Sequence, residues 1–253
     1  MLESYVQLYE TLGKEKWLRY AEETFLIAIT WVMSYDFKFP SGSVSARRRV
    51  HTLGTVFANA QNKHSAPGIC TLSGNCLLKL YRFTGNQDYL YWTKAISHSI
   101  SQFVSLTERP VLSLEKTYLK PGYINERVQT SDWEGKETVG GFQNGSNWPE
   151  VTMMLTYTEI PGIYVDFGAG VVEAFDHIGC RCVQMDKETA QLELYNCTAF
   201  DATVTILVDD TCCTNYVYHN YFQKMIKVDI QAGQCQHITV QRPIYTQEDT
   251  KND

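Results

Sequence analysis

Apolar residues recur at helical spacing through the first part of the chain and alternate with polar ones through the last. Trp17, Tyr20, Ala21, Thr24, Phe25, Ala28 and Val32 fall on one face of a 3.6-residue repeat. Leu72 to Phe83 and Tyr89 to Val104 follow the same period. Past Pro161-Gly162 the period drops to two. QLELYNCTA and ATVTILVDD alternate and are rich in β-branched residues, and KMIKVDIQAGQCQHITVQ places a Gly turn between two such runs. The pattern predicts helices over about residues 2–33, 67–105 and 148–158, and antiparallel strands from about Gly162 to Gln241. The expected class is α+β, with an α-hairpin domain over 1–161 and a β-sandwich domain over 162–253 that ends in a polar, frayed tail.

An internal repeat supports the helical half. LYETLGKEKWLRYAEE from Leu8 and LYRFTGNQDYLYWTKA from Leu80 each end a helix in Leu-Tyr and turn at a glycine, Gly13 or Gly85. Each then opens a new helix with an aromatic-Leu pair. Glycine suits the position just past a helix because it accepts a positive φ. Helix, Gly turn, helix, repeated, predicts stacked α-hairpins that share a core.

Composition narrows the function. The balance of 44% hydrophobic and 20% charged residues is that of a globular chain. A net charge of −6, with Arg47, Arg48 and Arg49 as the one basic triplet, argues against a nucleic-acid partner. The longest apolar run, Phe25 to Met33, is far short of the ~20 residues that span a bilayer, so no membrane partner is expected. The N-terminus has acids from its third residue and no apolar signal core, and the eight cysteines show no paired CxxC, so a cytoplasmic location with reduced thiols is expected. On the same ground Asn144-Gly-Ser and Asn196-Cys-Thr are chance matches to a glycosylation pattern. No P-loop, G-x-G-x-x-G, H-E-x-x-H or G-x-S-x-G occurs, so neither a cofactor nor a metal is expected. Aromatics at 13%, with 16 Tyr and 5 Trp, fit a bulky core or ring surfaces for a flat ligand such as sugar.

The LYxxTGxxxxL element is similar to the hairpins of six-hairpin glycosidases, the (α/α)6 toroids. The stretch WPEVTMMLTYTEIPGIYVDFGAGVVEAFDHIGCRCV resembles the junction from last inner helix to β-sandwich in a bacterial subgroup of glycoside-hydrolase-like proteins. The resemblance implies a partial toroid of about two and a half hairpins, the C-terminal half of a longer enzyme or a half-ring completed by another chain. It implies an oligosaccharide substrate at the mouth of the ring. Uncovered apolar helix flanks then predict association, with a second copy or with a chain supplying the N-terminal hairpins.

Two long polar segments, Tyr35 to Pro67 and Thr107 to Trp148, are the places for chemistry. In the second, Glu126, Arg127, Gln129, Asp132, Trp133 and Glu134 lie within nine residues. Glycoside hydrolysis needs two carboxyls about the scissile bond, for which Asp132 and Glu126 are preferred and Glu134 stands behind them. Trp133 or Trp148 would stack on a pyranose, and Arg127 would keep a carboxylate ionised or bind an acidic sugar. In the first, Gln61, Asn62 and His64 offer amides for sugar hydroxyls and an imidazole for proton transfer. The resemblance places this Gln-Asn-x-His at the ring mouth, where Glu150, in a first helical turn after Pro149, would also point. The two segments are therefore expected to converge on one cleft. His51, the Arg triplet, Asp166 and Asp176-His177 are weaker candidates, read as structural. A non-catalytic module that binds sugar or a partner, and a uronic-acid lyase using Arg127, His64 and tyrosines, are the competing functions.

Overall fold

The computed structural model describes residues 1–59, 64–65, 74–145, 148–213 and 225–245. It is a mixed α+β chain whose helices come first and whose longer strands follow. The helices are α1 (Leu2–Leu12), α2 (Glu15–Ile29), a short α3 (Val44–Arg48), α4 (Gly74–Thr84), α5 (Asp88–Ile100) and α6 (Trp148–Glu159). Helical periodicity located all but α3; the expected start at 67 lies outside the described residues. Four short strands lie within the segments that the sequence presents as loops: β1 (Phe57–Asn59), β2 (His64–Ser65), β3 (Arg127–Gln129) and β4 (Phe142–Gln143). Among the described residues, seven follow Pro161: β5 (Ile163–Asp166), β6 (Val171–Ala174), β7 (Gly179–Met185), β8 (Thr189–Tyr195), β9 (Ala202–Asp209), β10 (Ile226–Ile230) and β11 (Cys235–Gln241).

The chain forms two compact units, each assembled from separated stretches. One comprises Met1–Glu3, Arg19–Gly74 and Ala95–Glu159. Its core is Val50, Ile100, Phe103, Val111, Ile124, Val128 and Phe142, and its sheet runs β1-β2-β3-β4, antiparallel throughout.

The other unit comprises Ser4–Leu18, Asn75–Lys94 and Ile160–Asp253. Its strands make two sheets, ordered β10-β9-β5-β6 and β11-β8-β7. All pairings are antiparallel except β5 with β9, which run parallel in the register Ile163 to Ile206 through Asp166 to Asp209. Both sheets feed one apolar core, with Ile163, Val165, Val204, Ile206 and Ile230 from the first and Ala190, Leu192, Leu194 and Val240 from the second. Both repeated hairpins end their first helix at the expected glycine. Gly13 (φ 60°) and Gly85 (φ 70°) donate to the carbonyls of Tyr9 and Tyr81, at 2.9 and 2.7 Å. The two first helices also meet: Tyr9 packs edge-on to Phe83 at 4.9 Å, and Lys79 Nζ lies 2.8 Å from Glu10 Oε2.

β5 is buried on both faces, and its alternation explains why. Ile163 and Val165 enter the sheet core, while Tyr164 and Asp166 meet polar groups of α4 and β9. Tyr81 Oη donates to Asp166 Oδ2 (2.7 Å), whose carboxylate also accepts from Gly168 N, Thr211 N and Thr211 Oγ1. Arg82 Nε donates to Asp209 Oδ2 (2.6 Å), which accepts from Tyr164 Oη as well, while Tyr245 Oη donates to Oδ1. Burial opposes the Arg82 charge, but Asp209 beside it outweighs that and holds the guanidinium above its usual range. Asp210 is paired with Arg242 at 2.7 Å.

The network predicts an alkaline limit. Burial first, then the Asp209 and Asp166 charges, push the Tyr164 phenol well above its ordinary value of 10.0; burial and Asp209 raise Tyr245 likewise. Both folded-state values exceed the unfolded one, so the stability they contribute is complete below about pH 10. It is lost as pH rises through that value toward the raised ones. Tyrosinate absorbance and ellipticity followed together over roughly pH 9 to 12 are expected to show these two phenols ionising only as the chain unfolds. Ionisation of all sixteen tyrosines with ellipticity intact would contradict this.

Candidate functional site

The segment Glu126 to Glu134 is organised by β3. Val128 stands opposite Phe142 on β4 and opposite Ser65 on β2, and both apolar side chains are fully buried in the core. Strand alternation then turns Arg127, Gln129 and the facing Gln143 to the other face. On that face Glu134 gathers them. Its Oε2 accepts from Gln129 Nε2 (2.5 Å) and Gln143 Nε2 (3.3 Å), and Arg127 Nη2 lies 3.9 Å from its Oε1. Glu134 is brought back over the sheet by the turn in which Gly135 N donates to Asp132 O (3.0 Å).

The other carboxylates have different surroundings. Glu126, half-buried, is fixed through its backbone N–H to Gln143 O (3.0 Å), and its side chain lies where a Cβ at Gly145 would collide with it. Asp132 is exposed and its carboxylate has no hydrogen bond or ion pair among the described residues. Trp133 beside it is 65% exposed, a ring available to solvent. Glu150 sits in the first turn of α6, and its Oε1 accepts from Ile124 N (3.0 Å), while its Oε2 is buried with no hydrogen-bond partner among the described residues.

The two polar segments meet in the sheet, since His64 stands opposite Gln129 in the β2–β3 register. Gln61 and Asn62 lie outside the described residues. Trp148 opens α6, two residues before Glu150. The arrangement thus joins Arg127, Glu134 and Glu126 about β3 and β4, ties Glu150 to Ile124, and leaves Asp132 and Trp133 on the adjoining turn. Gln143 and Asn125 were not singled out in the sequence; Gln129 was, as a member of the dense stretch from Glu126 to Glu134.

The weaker candidates have local partners. His51 Nδ1 is 2.7 Å from Asp36 Oδ2. Burial works against the Asp36 carboxylate, but His51 and the N–H groups of Leu53 and Thr52 hold it below the usual range. Arg48 donates to the carbonyls of Gln102, Arg109 and Pro110, and burial, with Arg109 nearby, lowers its pKa to about 10. Arg47 donates to Gly42 O within its own turn. Asp176 Oδ1 accepts from His177 N.

A second polar feature belongs to the unit that holds β5–β11. An open groove of about 680 Å3 is lined by Asp201, Thr203, Asp229, Gln231, Gln234 and Gln236, among others. Asp201 Oδ1 accepts from Ala232 N, and Asp229 Oδ1 from Thr203 Oγ1. Among the described residues no group of three His, Cys, Asp or Glu side chains is placed to hold a metal ion, and no helix is long and apolar enough to cross a membrane. No family model, curated protein or solved structure matches the chain.

Proposed function

We propose that this chain is a carbohydrate-active protein of glycoside-hydrolase type, acting on glycosidic bonds of an oligosaccharide at the polar face of the β1–β4 sheet. The observation that carries this reading is the gathering of Arg127, Gln129 and Gln143 around the Glu134 carboxylate, beside exposed Trp133 and Asp132. Amides fixed by a carboxylate are suited to sugar hydroxyls, an exposed indole to a pyranose face, and an unpaired carboxylate to proton transfer or nucleophilic attack. In this reading Asp132 and Glu126 act at the bond, Glu134 orients the binding amides, and His64 lies along the same sheet. The hairpins α1–α2 and α4–α5 support a partial α/α toroid, and the shared two-sheet core supports a β-sandwich. The seven free thiols among the described residues support a cytoplasmic setting. Exposed Leu26 and Ile27 on α2 and Val151, Met154 and Leu155 on α6 support association, with a second copy or a chain bearing further hairpins.

A screen of chromogenic glycosides and uronic-acid polymers, with the chain alone and in its associated state, tests the activity. Asp132→Asn is expected to lower any turnover by at least about a hundredfold while leaving binding within about twofold, because the amide keeps the shape and cannot ionise. Full activity of that variant would remove Asp132 from the mechanism. The amide- and carboxylate-lined groove between β9, β10 and β11 favours a second reading, a non-catalytic sugar-binding module. In that case Asp229→Ala weakens binding and Asp132→Asn does not.

A further inference from the structure

The open groove of the second unit runs over the start of β9, the end of β10, the turn after it and the start of β11. Its frame is fixed from beneath. Asn196, 1% exposed, donates from Nδ2 to Phe200 O (2.7 Å) and Ile230 O (3.2 Å), and its backbone N–H donates to Gln234 O (2.9 Å). Asp201 Oδ1 accepts from Ala232 N (2.9 Å). The β8–β9 connection is thereby tied to both ends of the β10–β11 turn. Thr203 stands opposite Asp229 in the β9–β10 register and donates its hydroxyl to Asp229 Oδ1.

The groups that line the groove are exposed and unspent. Gln231, Gln234 and Gln236 make no side-chain hydrogen bond among the described residues, and each amide offers one acceptor and two donor hydrogens. Asp201 and Asp229 bond through Oδ1 and leave Oδ2 without a partner, and neither has an ion pair among the described residues. No Lys, Arg or His is among the described lining residues. A hydroxyl both donates and accepts, so it can answer an amide and a carboxylate together. An ammonium only donates and leaves the amide N–H groups unanswered. A ligand carboxylate only accepts, and it meets two like charges. The volume, about 680 Å3, falls within the range of about 300–1,000 Å3 usual for small-ligand sites.

We infer that this groove is a second glycan site, which takes a neutral, hydroxyl-bearing oligosaccharide through Gln231, Gln234 and Gln236 and disfavours uronates through Asp201 and Asp229. It holds whether or not the face of the β1–β4 sheet is catalytic, since every residue it uses belongs to the unit of β5–β11.

An array of neutral and uronate oligosaccharides, followed by titration of its best neutral and best uronate binders, tests it. The double variant Gln234→Ala with Gln236→Ala is expected to weaken neutral binding at the groove by at least about tenfold, the loss of two hydrogen bonds. Its thermal midpoint should not move, because both side chains are exposed and unbonded. Trp133→Ala, which alters the β1–β4 face, should leave that binding event intact. The titration reads two equivalents of neutral glycan if both sites bind and one if the groove alone does; the glutamine pair removes one in either case. Asp201→Asn with Asp229→Asn keeps an acceptor for the Ala232 N–H and the Thr203 hydroxyl and removes both charges. It should strengthen uronate binding by about fivefold or more and leave neutral binding within about twofold. Neutral binding that the glutamine pair does not weaken would overturn the inference, and its loss in Trp133→Ala would then leave the β1–β4 face standing. Uronate affinity unchanged in the asparagine pair would overturn the assigned selectivity. An array with no bound glycan of either class would overturn both sites.

Discussion

Replacing Arg82 with methionine is expected to lower the free energy of unfolding by about 3–5 kcal/mol, the usual cost of stranding one member of a buried ion pair. Arg82 and Asp209 are 2% and 1% exposed at their side chains, so water cannot take the place of the lost guanidinium. Asp209 would keep its hydroxyl donors, Tyr164 and Tyr245, and lose its charge partner. In a chain of this size each kcal/mol moves the thermal midpoint by about 2–4 °C, so a fall of roughly 6–20 °C follows. The double variant Arg82→Met with Asp209→Asn should recover a large part of that loss, because no buried charge remains unpaired. Equal losses in single and double variants would show that packing around Arg82, and not the charge, is what matters. Thermal and denaturant unfolding of the three proteins decide it.

Gly54→Ala is the second large effect. Gly54 has φ +84°, lies in a turn closed by Thr55 N on Thr52 O, donates its own N–H to Met33 O (2.9 Å), and faces α5 so closely that a Cβ would overlap the Ala95 carbonyl. The positive φ costs an L side chain about 1–2 kcal/mol. Displacing helix backbone adds about 1–3 kcal/mol, since there is no flexible side chain to yield. A total near 2–5 kcal/mol is expected by thermal or denaturant unfolding. Gly13→Ala is the control. It shares the positive φ (60°) but meets nothing within 4 Å, so it should cost only the conformational part. Similar losses at both positions would show that the Ala95 contact is not limiting.

Long elements were legible in the sequence because each writes its own period. The alternation of β8, β9 and β11 and the helical spacing of α2, α4 and α5 depend only on neighbours along the chain. The β1–β4 sheet was not legible. Its strands are two or three residues long, too short to show a period, and His64 finds Gln129 across a separation that no local pattern encodes. The density of charge between Glu126 and Glu134 was visible, and the structure gathers part of it around Glu134. What was invisible is which carboxylate receives which donor: Glu150 takes the Ile124 N–H, 26 residues away. Arg82 reads in sequence as an ordinary polar position on α4, and only Asp209, 127 residues further on, explains its burial.

That separation has a consequence for the order of events on the ribosome. The second unit draws on Ser4–Leu18, Asn75–Lys94 and everything from Ile160, and β5 has β9 as its parallel neighbour. Until Asp209 has emerged, Arg82 lacks its counter-charge and β5 lacks one of its two flanking strands. The stretches Ser4–Leu18 and Asn75–Lys94 must therefore wait for the rest of their unit, in the case of Arg82 for more than a hundred residues of synthesis. At about 5–20 residues per second that is a delay of several seconds or more, during which α1 and α4 lack the sheets of their own unit. Ribosome-stalled chains ending shortly before and well after β9 should differ sharply in protease resistance of the α4 segment, and holdase chaperones would be engaged by the shorter ones.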